Sequence, residues 1–102
     1  MTREAPAHTA SPRRLVVAVD GHVQGVGFRM STAAVARGFA VGGYVQNQGD
    51  GSVRVVAEGA EPELLRFLDA LRAAPVYRFV RHEQVNWMSA TGAFAGFDIR
   101  YG

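Results

Sequence analysis

Apolar and polar positions along the chain form two kinds of pattern, one typical of strands and one typical of helices. Short β-branched or alternating runs predict five strands, over residues 15–19, 41–47, 52–58, 79–87 and from residue 94 onward. Spacings of four, three and four between Phe28, Thr32, Val35 and Phe39 predict a first helix. Gly38 is expected at the C-terminal cap of this helix, where glycine is favoured.

A second helix is predicted to begin at Pro62, because proline is favoured in the first helical turn. Glu61 and Glu63 suit the positive end of the helix dipole, and Pro75 stops the helix after Ala74. Its apolar stripe consists of Leu64, Phe67, Leu68 and Leu71. The Asp50-Gly51 pair predicts a hairpin between the second and third strands.

The order of these elements is strand, helix, strand, strand, helix, strand, followed by one further strand. This order predicts an α+β fold of the ferredoxin-like type, a βαββαβ sandwich plus a terminal strand. Two helices are expected to cover one face of an antiparallel sheet. The 102 residues suit one domain, which we expect over residues 15–102, after a disordered arm over residues 1–14 that lacks periodicity.

The positive charge of the chain is concentrated in that arm. Arginine supplies all eleven positive charges, and three of them lie in the first fourteen residues with one acidic residue. The rest of the chain therefore carries eight charges of each sign, which argues against a broad nucleic-acid footprint. The absence of cysteine excludes disulfides, thiolate metal sites and cysteine nucleophiles. No apolar run approaches the length of a membrane span, so a cytoplasmic protein is expected.

The stretch GHVQGVGFRM, residues 21–30, places three glycines ahead of the first helix and Arg29 in its first turn. A Walker A loop requires a lysine, which the chain lacks, and a dinucleotide fingerprint requires Gly or Ala where Met30 stands. Two interpretations remain open. Backbone N–H groups and Arg29 can form an anion site at a helix N-terminus, or the segment is an ordinary glycine-rich turn with a solvated arginine.

Three segments of the chain resemble the acylphosphatase family. GHVQGVGFR is similar to the first signature of the family, GGYVQNQGDGSV to its second block, and FDIRY to its terminal strand. Together these segments extend the resemblance over residues 15–102. The resemblance implies an enzyme that hydrolyses the carboxyl-phosphate bond of acyl phosphates by water attack at phosphorus, giving a carboxylate and inorganic phosphate.

The resemblance also implies roles for individual residues. Arg29 is implied to bind the phosphate, and Asn47 to hold and orient the attacking water. The backbone amides of the phosphate loop are those of Gln24, Gly25, Val26, Gly27, Phe28 and Arg29. No metal and no other cofactor are implied, and the protein is expected to act as a monomer on a small acyl phosphate. Two departures from the pattern are Tyr44, where tryptophan is usual, and Gln46, where a basic residue is frequent.

The chemistry of the substrate agrees with so sparse a set of side chains. The histidines lack metal-ligand spacing, and Ser31 has no local base, so a serine nucleophile is not expected. A carboxylate leaving group needs no proton, because carboxylic acids ionise near pH ~4. The alternatives are a non-catalytic module that binds phosphate or an acyl phosphate, and an RNA-binding ferredoxin-like domain. The latter is disfavoured because the third strand, SVRVVAE, offers no aromatic side chain for base stacking.

Overall fold

The computed structural model describes residues 11–101 and contains five strands and two α-helices. The strands are β1 Arg13–Gly21, β2 Gly42–Asn47, β3 Val53–Gly59, β4 Val80–Ser89 and β5 Phe97–Arg100. The helices are α1 Phe28–Ala36 and α2 Glu61–Ala73, and a short 3-10 helix, Pro75–Phe79, leads into β4. Every predicted element is therefore present, with ends that differ by at most three residues.

The five strands form one sheet in the order β4-β1-β3-β2-β5. The β1–β3, β1–β4 and β2–β3 pairs are antiparallel, as the ferredoxin-like order predicts. The sheet is nevertheless mixed rather than wholly antiparallel, because β5 runs parallel to β2. The sequence pattern gives each strand its place along the chain but not its partner, and β5 reaches the far edge of the sheet by a crossover.

The crossover between β4 and β5 lies across the face of the sheet that the helices leave open. Glu58 on β3 accepts hydrogen bonds from the backbone N–H groups of Thr91 and Gly92, at 3.0 Å each. Phe94 lies against the ring of Tyr44, with ring centroids 5.9 Å apart. Strand β4 runs opposite to β1. After the crossover the chain reverses direction, so β5 runs in the direction shared by β1 and β2.

The main core lies between the sheet and the two helices. Its buried strand residues are Leu15, Val17, Val19, Val45, Val53, Val55 and Ala57. The stripe predicted for α2, Leu64, Phe67, Leu68 and Leu71, is buried against them. On the opposite face of β3, Val56 and Glu58 are also buried and only Arg54 is exposed. Alternation along a strand cannot anticipate this, since the cover over Glu58 comes from the distant crossover.

Two element ends differ from the predictions in informative ways. Strand β1 begins at Arg13, two residues before the predicted domain boundary, so Arg13 and Arg14 belong to the sheet and not to the arm. The remaining predicted arm, residues 1–10, lies outside the described residues. Helix α1 ends at Ala36 with Arg37 at its C-cap in right-handed geometry, so Gly38 does not provide the expected left-handed cap. Instead, the Gly38 and Phe39 N–H groups bond back to Val35 and Ala36 in a tightened last turn.

Neither helix in residues 11–101 has the length and apolar character needed to cross a membrane.

Candidate active site

The loop between β1 and α1 takes its shape from two glycines. Gly25 has φ +80° and Gly27 has φ +83°, a left-handed region that other residues rarely adopt. A Cβ atom at either position would meet nothing within 4 Å, so backbone conformation rather than crowding requires glycine there. Gly27 is the N-cap of α1 and supplies no side-chain cap to the first helical N–H groups. The sequence therefore leaves this helix end available to a ligand.

Within residues 11–101, the backbone N–H groups from Gln24 to Arg29 donate to no backbone or side-chain acceptor. Uncapped N–H groups at a helix start carry the positive end of the helix dipole. Successive donors of this kind form an anion-binding site when they converge on one point. Among the described residues, these six donors along the predicted phosphate loop have no protein acceptor.

Arg29 is half-buried in the first turn of α1, where its side chain contacts the end of β5. Its Nη1 atom donates to the backbone carbonyl of Arg100 at 3.3 Å. The guanidinium carbon lies 4.7 Å from the centroid of the Tyr101 ring, a cation–π contact. These contacts fix one edge of the guanidinium and leave the other N–H groups to meet an anion. Sequence reasoning did not anticipate either contact, since they depend on where β5 joins the sheet.

Asn47 is the last residue of β2, half-buried, and pairs across the ladder with Val53. It lies two residues beyond the buried Val45 and so projects from the same face of the sheet, the face covered by the helices. Its neighbour Gln46 pairs with Arg100 on β5, whose carbonyl accepts from Arg29. Asn47 and Arg29, which stand eighteen residues apart in the sequence, therefore lie at the same end of the sheet.

The side chain of Gln24 joins the glycine loop to the hairpin that follows Asn47. Its Nε2 atom donates to the carbonyls of Gln48 and Ser52, at 2.8 Å each. Gln48 directly follows Asn47. Ser52 directly precedes Val53, which is the residue that pairs with Asn47 across the ladder. Sequence reasoning assigned Gln24 only a backbone amide in the loop and missed its side chain. No local sequence signal could have found it, because both acceptors are backbone atoms of a remote turn.

The hairpin over residues 48–52 has the predicted Asp-Gly turn. Asp50 accepts from the Ser52 hydroxyl at 2.6 Å and from the Ser52 N–H at 2.9 Å. These hydrogen bonds, the hydroxyl first, lower the pKa of the Asp50 carboxyl from its ordinary value. Asp50 is thus a fixed, ionised element of the turn and not a proton donor to a reaction.

Two histidines lie near this end of the sheet but outside residues 24–29. His22 follows the last residue of β1 and is exposed, with its ring centroid 5.9 Å from that of Phe79. His82 contacts Asp20 at 3.0 Å on the surface. The part of the chain that the structure describes contains no group of three or more His, Cys, Asp or Glu side chains able to share a metal ion.

Two surface cavities, of about 440 and 400 Å³, lie on the open face of the sheet. Their walls include Asp50 and Ser52 but no residue of the loop over 22–29. A phosphate group is small and can be bound by backbone donors at a helix start, for which a deep apolar pocket is not required.

Comparisons with known proteins agree with this geometry. A model of the acylphosphatase family matches residues 15–99. The chain is 40% identical to an acylphosphatase of Salinibacter ruber over 92 residues, which cover 90% of this chain and 97% of the relative. It is 38% identical to an acylphosphatase of Nocardia farcinica over 100 residues, covering 98% and 100%. A crystal structure of acylphosphatase from Bacillus subtilis matches with a TM-score of 0.77 at 34% identity, covering 87% of this chain and 99% of that one.

Proposed function

Because the chain belongs to the acylphosphatase family and is an acylphosphatase, which hydrolyses the carboxyl-phosphate bond of acyl phosphates, we propose that residues 24–29 and Asn47 form its active site. The observation that carries this proposal is that three features lie at one end of the sheet. They are the guanidinium of Arg29, the side chain of Asn47 and six backbone N–H groups that have no acceptor within residues 11–101.

The phosphate group of the substrate binds in the loop from Gln24 to Arg29. Its oxygens accept hydrogen bonds from the free backbone N–H groups, and its negative charge lies at the positive end of the α1 dipole. Arg29 adds a planar fork of donors that matches two phosphate oxygens. Its contact with Arg100 and Tyr101 holds the guanidinium beside the loop before substrate arrives.

Asn47 holds the attacking water on the other side of the phosphorus atom. An asparagine side chain offers both a carbonyl acceptor and an N–H donor, so it can orient a water molecule without taking its proton. Its position at the end of β2, beside the strand that contacts Arg29, supports this role. Fixing the water relative to the phosphate converts an encounter of two molecules into one oriented step.

The reaction then proceeds by in-line displacement. The water oxygen forms a bond to phosphorus while the bond from phosphorus to the acyl oxygen breaks, and the electron pair leaves with the carboxylate. The carboxylate needs no proton because its pKa is ~4. The proton of the water passes to a phosphate oxygen, which yields inorganic phosphate. Catalysis consists of positioning and of stabilising the charge on the equatorial oxygens.

Three further features of the proposal concern the surroundings of the enzyme. The protein acts as a monomer, in the cytoplasm, on a free small acyl phosphate and not on nucleic acid. The central strands β1 and β3 support the exclusion of nucleic acid as a substrate, since neither strand carries an aromatic side chain on which a base could stack. The monomeric state and the location stay predictions.

Hydrolysis of benzoyl phosphate in excess EDTA by purified variants tests the assignment. We expect Arg29→Ala and Arg29→Lys each to lower kcat/KM by about 100-fold or more, since a point charge cannot replace the guanidinium fork. Asn47→Ala should lower kcat by a similar factor and leave binding of inorganic phosphate intact.

Arg37→Ala and Asn86→Ala are matched controls, because both side chains are exposed and lie away from the loop. Wild-type activity in Asn47→Ala would remove the role given to that residue while leaving the phosphate loop intact. Loss of wild-type turnover in EDTA would show instead that the reaction needs a metal.

A further inference from the structure

We infer that the side chain of Gln24 is a positioning residue, which sets the distance between the phosphate loop and the water-holding Asn47. The inference rests on the proposed function, and it concerns a side chain to which no role was given above. It begins from the two hydrogen bonds that Gln24 donates across the active-site end of the sheet.

Both N–H bonds of the Gln24 amide are used, one on each side of the turn between β2 and β3. They reach the carbonyls of Gln48 and Ser52 at 2.8 Å each. These two residues lie on the turn side of the last rung of the ladder, Asn47 paired with Val53. The Gln24 side chain therefore bonds to the chain immediately beyond Asn47 and immediately before its cross-strand partner.

The hairpin does not need Gln24 in order to close. Gln48 N–H bonds to the Ser52 carbonyl at 2.8 Å, and Gly51 N–H bonds to the Gln48 carbonyl at 3.1 Å. Asp50 closes the turn further through its two bonds to Ser52. What Gln24 adds is a link between this preformed turn and a loop whose own backbone N–H groups are unpaired among the described residues.

That link sets the distance between the phosphate loop and Asn47. The loop is anchored at one end by β1 and at the other by α1, whereas Asn47 belongs to β2. Between residues 22 and 27 the side chain of Gln24 makes the hydrogen bonds that tie the loop to the hairpin. A shift of about 1 Å between a bound phosphate and its attacking water is enough to cost roughly 100-fold in rate. Gln24 thus acts through Asn47 and not on the substrate.

The test measures kcat, KM and inhibition by inorganic phosphate for Gln24→Met, which keeps the length of the side chain and removes its donors. We expect kcat for benzoyl phosphate to fall about 10- to 100-fold. The inhibition constant of inorganic phosphate should change by less than about threefold, because the loop and Arg29 still bind it. Gln48→Met is the matched control, since the Gln48 side chain lies in the same turn and, within residues 11–101, bonds only to the Gln46 carbonyl.

A double mutant separates positioning from a general structural effect. In an Asn47→Ala background, Gln24→Met should lower kcat by less than about threefold further, because the residue through which it acts is gone. Multiplicative losses in the double mutant would overturn the inference. So would an unchanged kcat in Gln24→Met, or a loss of phosphate affinity as large as the loss of kcat.

Gln24→Asn keeps the amide but is one methylene too short to reach both carbonyls, and it serves if the methionine variant unfolds. We expect it to lower kcat in the same way, with phosphate inhibition preserved. Failure of the proposed function is distinguishable from failure of this inference. The first would appear as normal turnover in Arg29→Ala and Asn47→Ala, the second only in the Gln24 variants.

Discussion

Arg29 and Asn47 are residues whose types and positions could be found from the sequence, whereas their supporting contacts could not. The arginine after a glycine loop and the asparagine at a strand end each have a chemical signature. The contacts of Arg29 with Arg100 and Tyr101, and those of Gln24 with Gln48 and Ser52, join segments that no local pattern connects. The roles proposed for Arg29 and Asn47 follow from the family resemblance, whereas contacts with backbone acceptors elsewhere in the fold leave no signal in the sequence.

Glu58 is a second residue that only the structure brings to attention. Burial on its own would raise the pKa of its carboxyl, but hydrogen bonds outweigh burial and lower the pKa to about 2. The donors are the Thr91 N–H, the Arg14 Nε at 2.7 Å, the Gly92 N–H and the Thr91 hydroxyl. Glu58 therefore fastens the crossover between β4 and β5 to the central strands as a carboxylate.

This arrangement predicts a pH dependence of folding stability. A carboxyl whose pKa is lower in the folded state stabilises the fold above its unfolded pKa, near 4.5. That contribution is lost as the pH falls from about 4.5 towards 2. Glu58→Gln should lower the free energy of unfolding at pH 7 by on the order of 2 kcal/mol, and by much less at pH 3.

Urea unfolding of the wild type and of Glu58→Gln at pH 7 and pH 3 measures the loss in the free energy of unfolding at each pH. Glu61→Gln is the control, because Glu61 and its partner Arg13 are both exposed and such pairs contribute little. An equal loss for Glu58→Gln at pH 7 and pH 3 would contradict the assignment.

Strand and helix positions followed from periodicity, but the partner of the last strand did not. The predicted stripe of α2 and the hairpin between β2 and β3 are confirmed. The parallel pairing of β5 with β2 was not predicted, because alternation of Phe97, Asp98 and Ile99 gives the same pattern in either direction. That pairing matters for function, since it places the carbonyl of Arg100 beside Arg29.

Gly43 in β2 shows how closely two elements of the sheet approach each other. Its φ is +151°, and a Cβ atom there would lie 1.8 Å from the carbonyl oxygen of Val56. Gly43→Ala should therefore lower the free energy of unfolding by more than about 2 kcal/mol, since β2 and β3 would have to separate. Urea unfolding measures the loss.

Gly49→Ala in the adjoining turn should change stability by less than about 0.5 kcal/mol, because a Cβ there meets nothing within 4 Å. Similar stabilities for the two variants would contradict the close packing of β2 on β3.

At the scale of the whole molecule, the sequence predicts the class of fold, which is confirmed, and one domain over residues 15–102, whereas β1 begins two residues earlier, at Arg13. The sequence assigns Arg13 and Arg14 to the arm, because these two charged residues continue its polar stretch. In the structure they extend β1, where Arg13 pairs with Gly59 and Ser89, and Arg14 pairs with Glu58 and Met88.

Two truncations test where the folded domain begins. A chain that starts at Ser11 should have the same Tm as the full chain within about 2 °C. A chain that starts at Leu15 loses two rungs of β1 and the bond between Arg14 and Glu58. Its Tm should fall by about 5 °C or more, which corresponds to roughly 1 kcal/mol in a domain of this size. Equal Tm values for the two truncated chains would restore the boundary predicted from the sequence.

The central claim is that water attacks the acyl phosphate at the phosphorus atom, which the loop and Arg29 hold, and not at the carbonyl carbon. Hydrolysis of benzoyl phosphate in ¹⁸O-labelled water tests this claim most directly, because the label marks the atom that water attacks. The account predicts one ¹⁸O atom in the inorganic phosphate and none in the benzoate, measured by mass spectrometry of both products. Label in the benzoate would show attack at the carbonyl carbon and would contradict it.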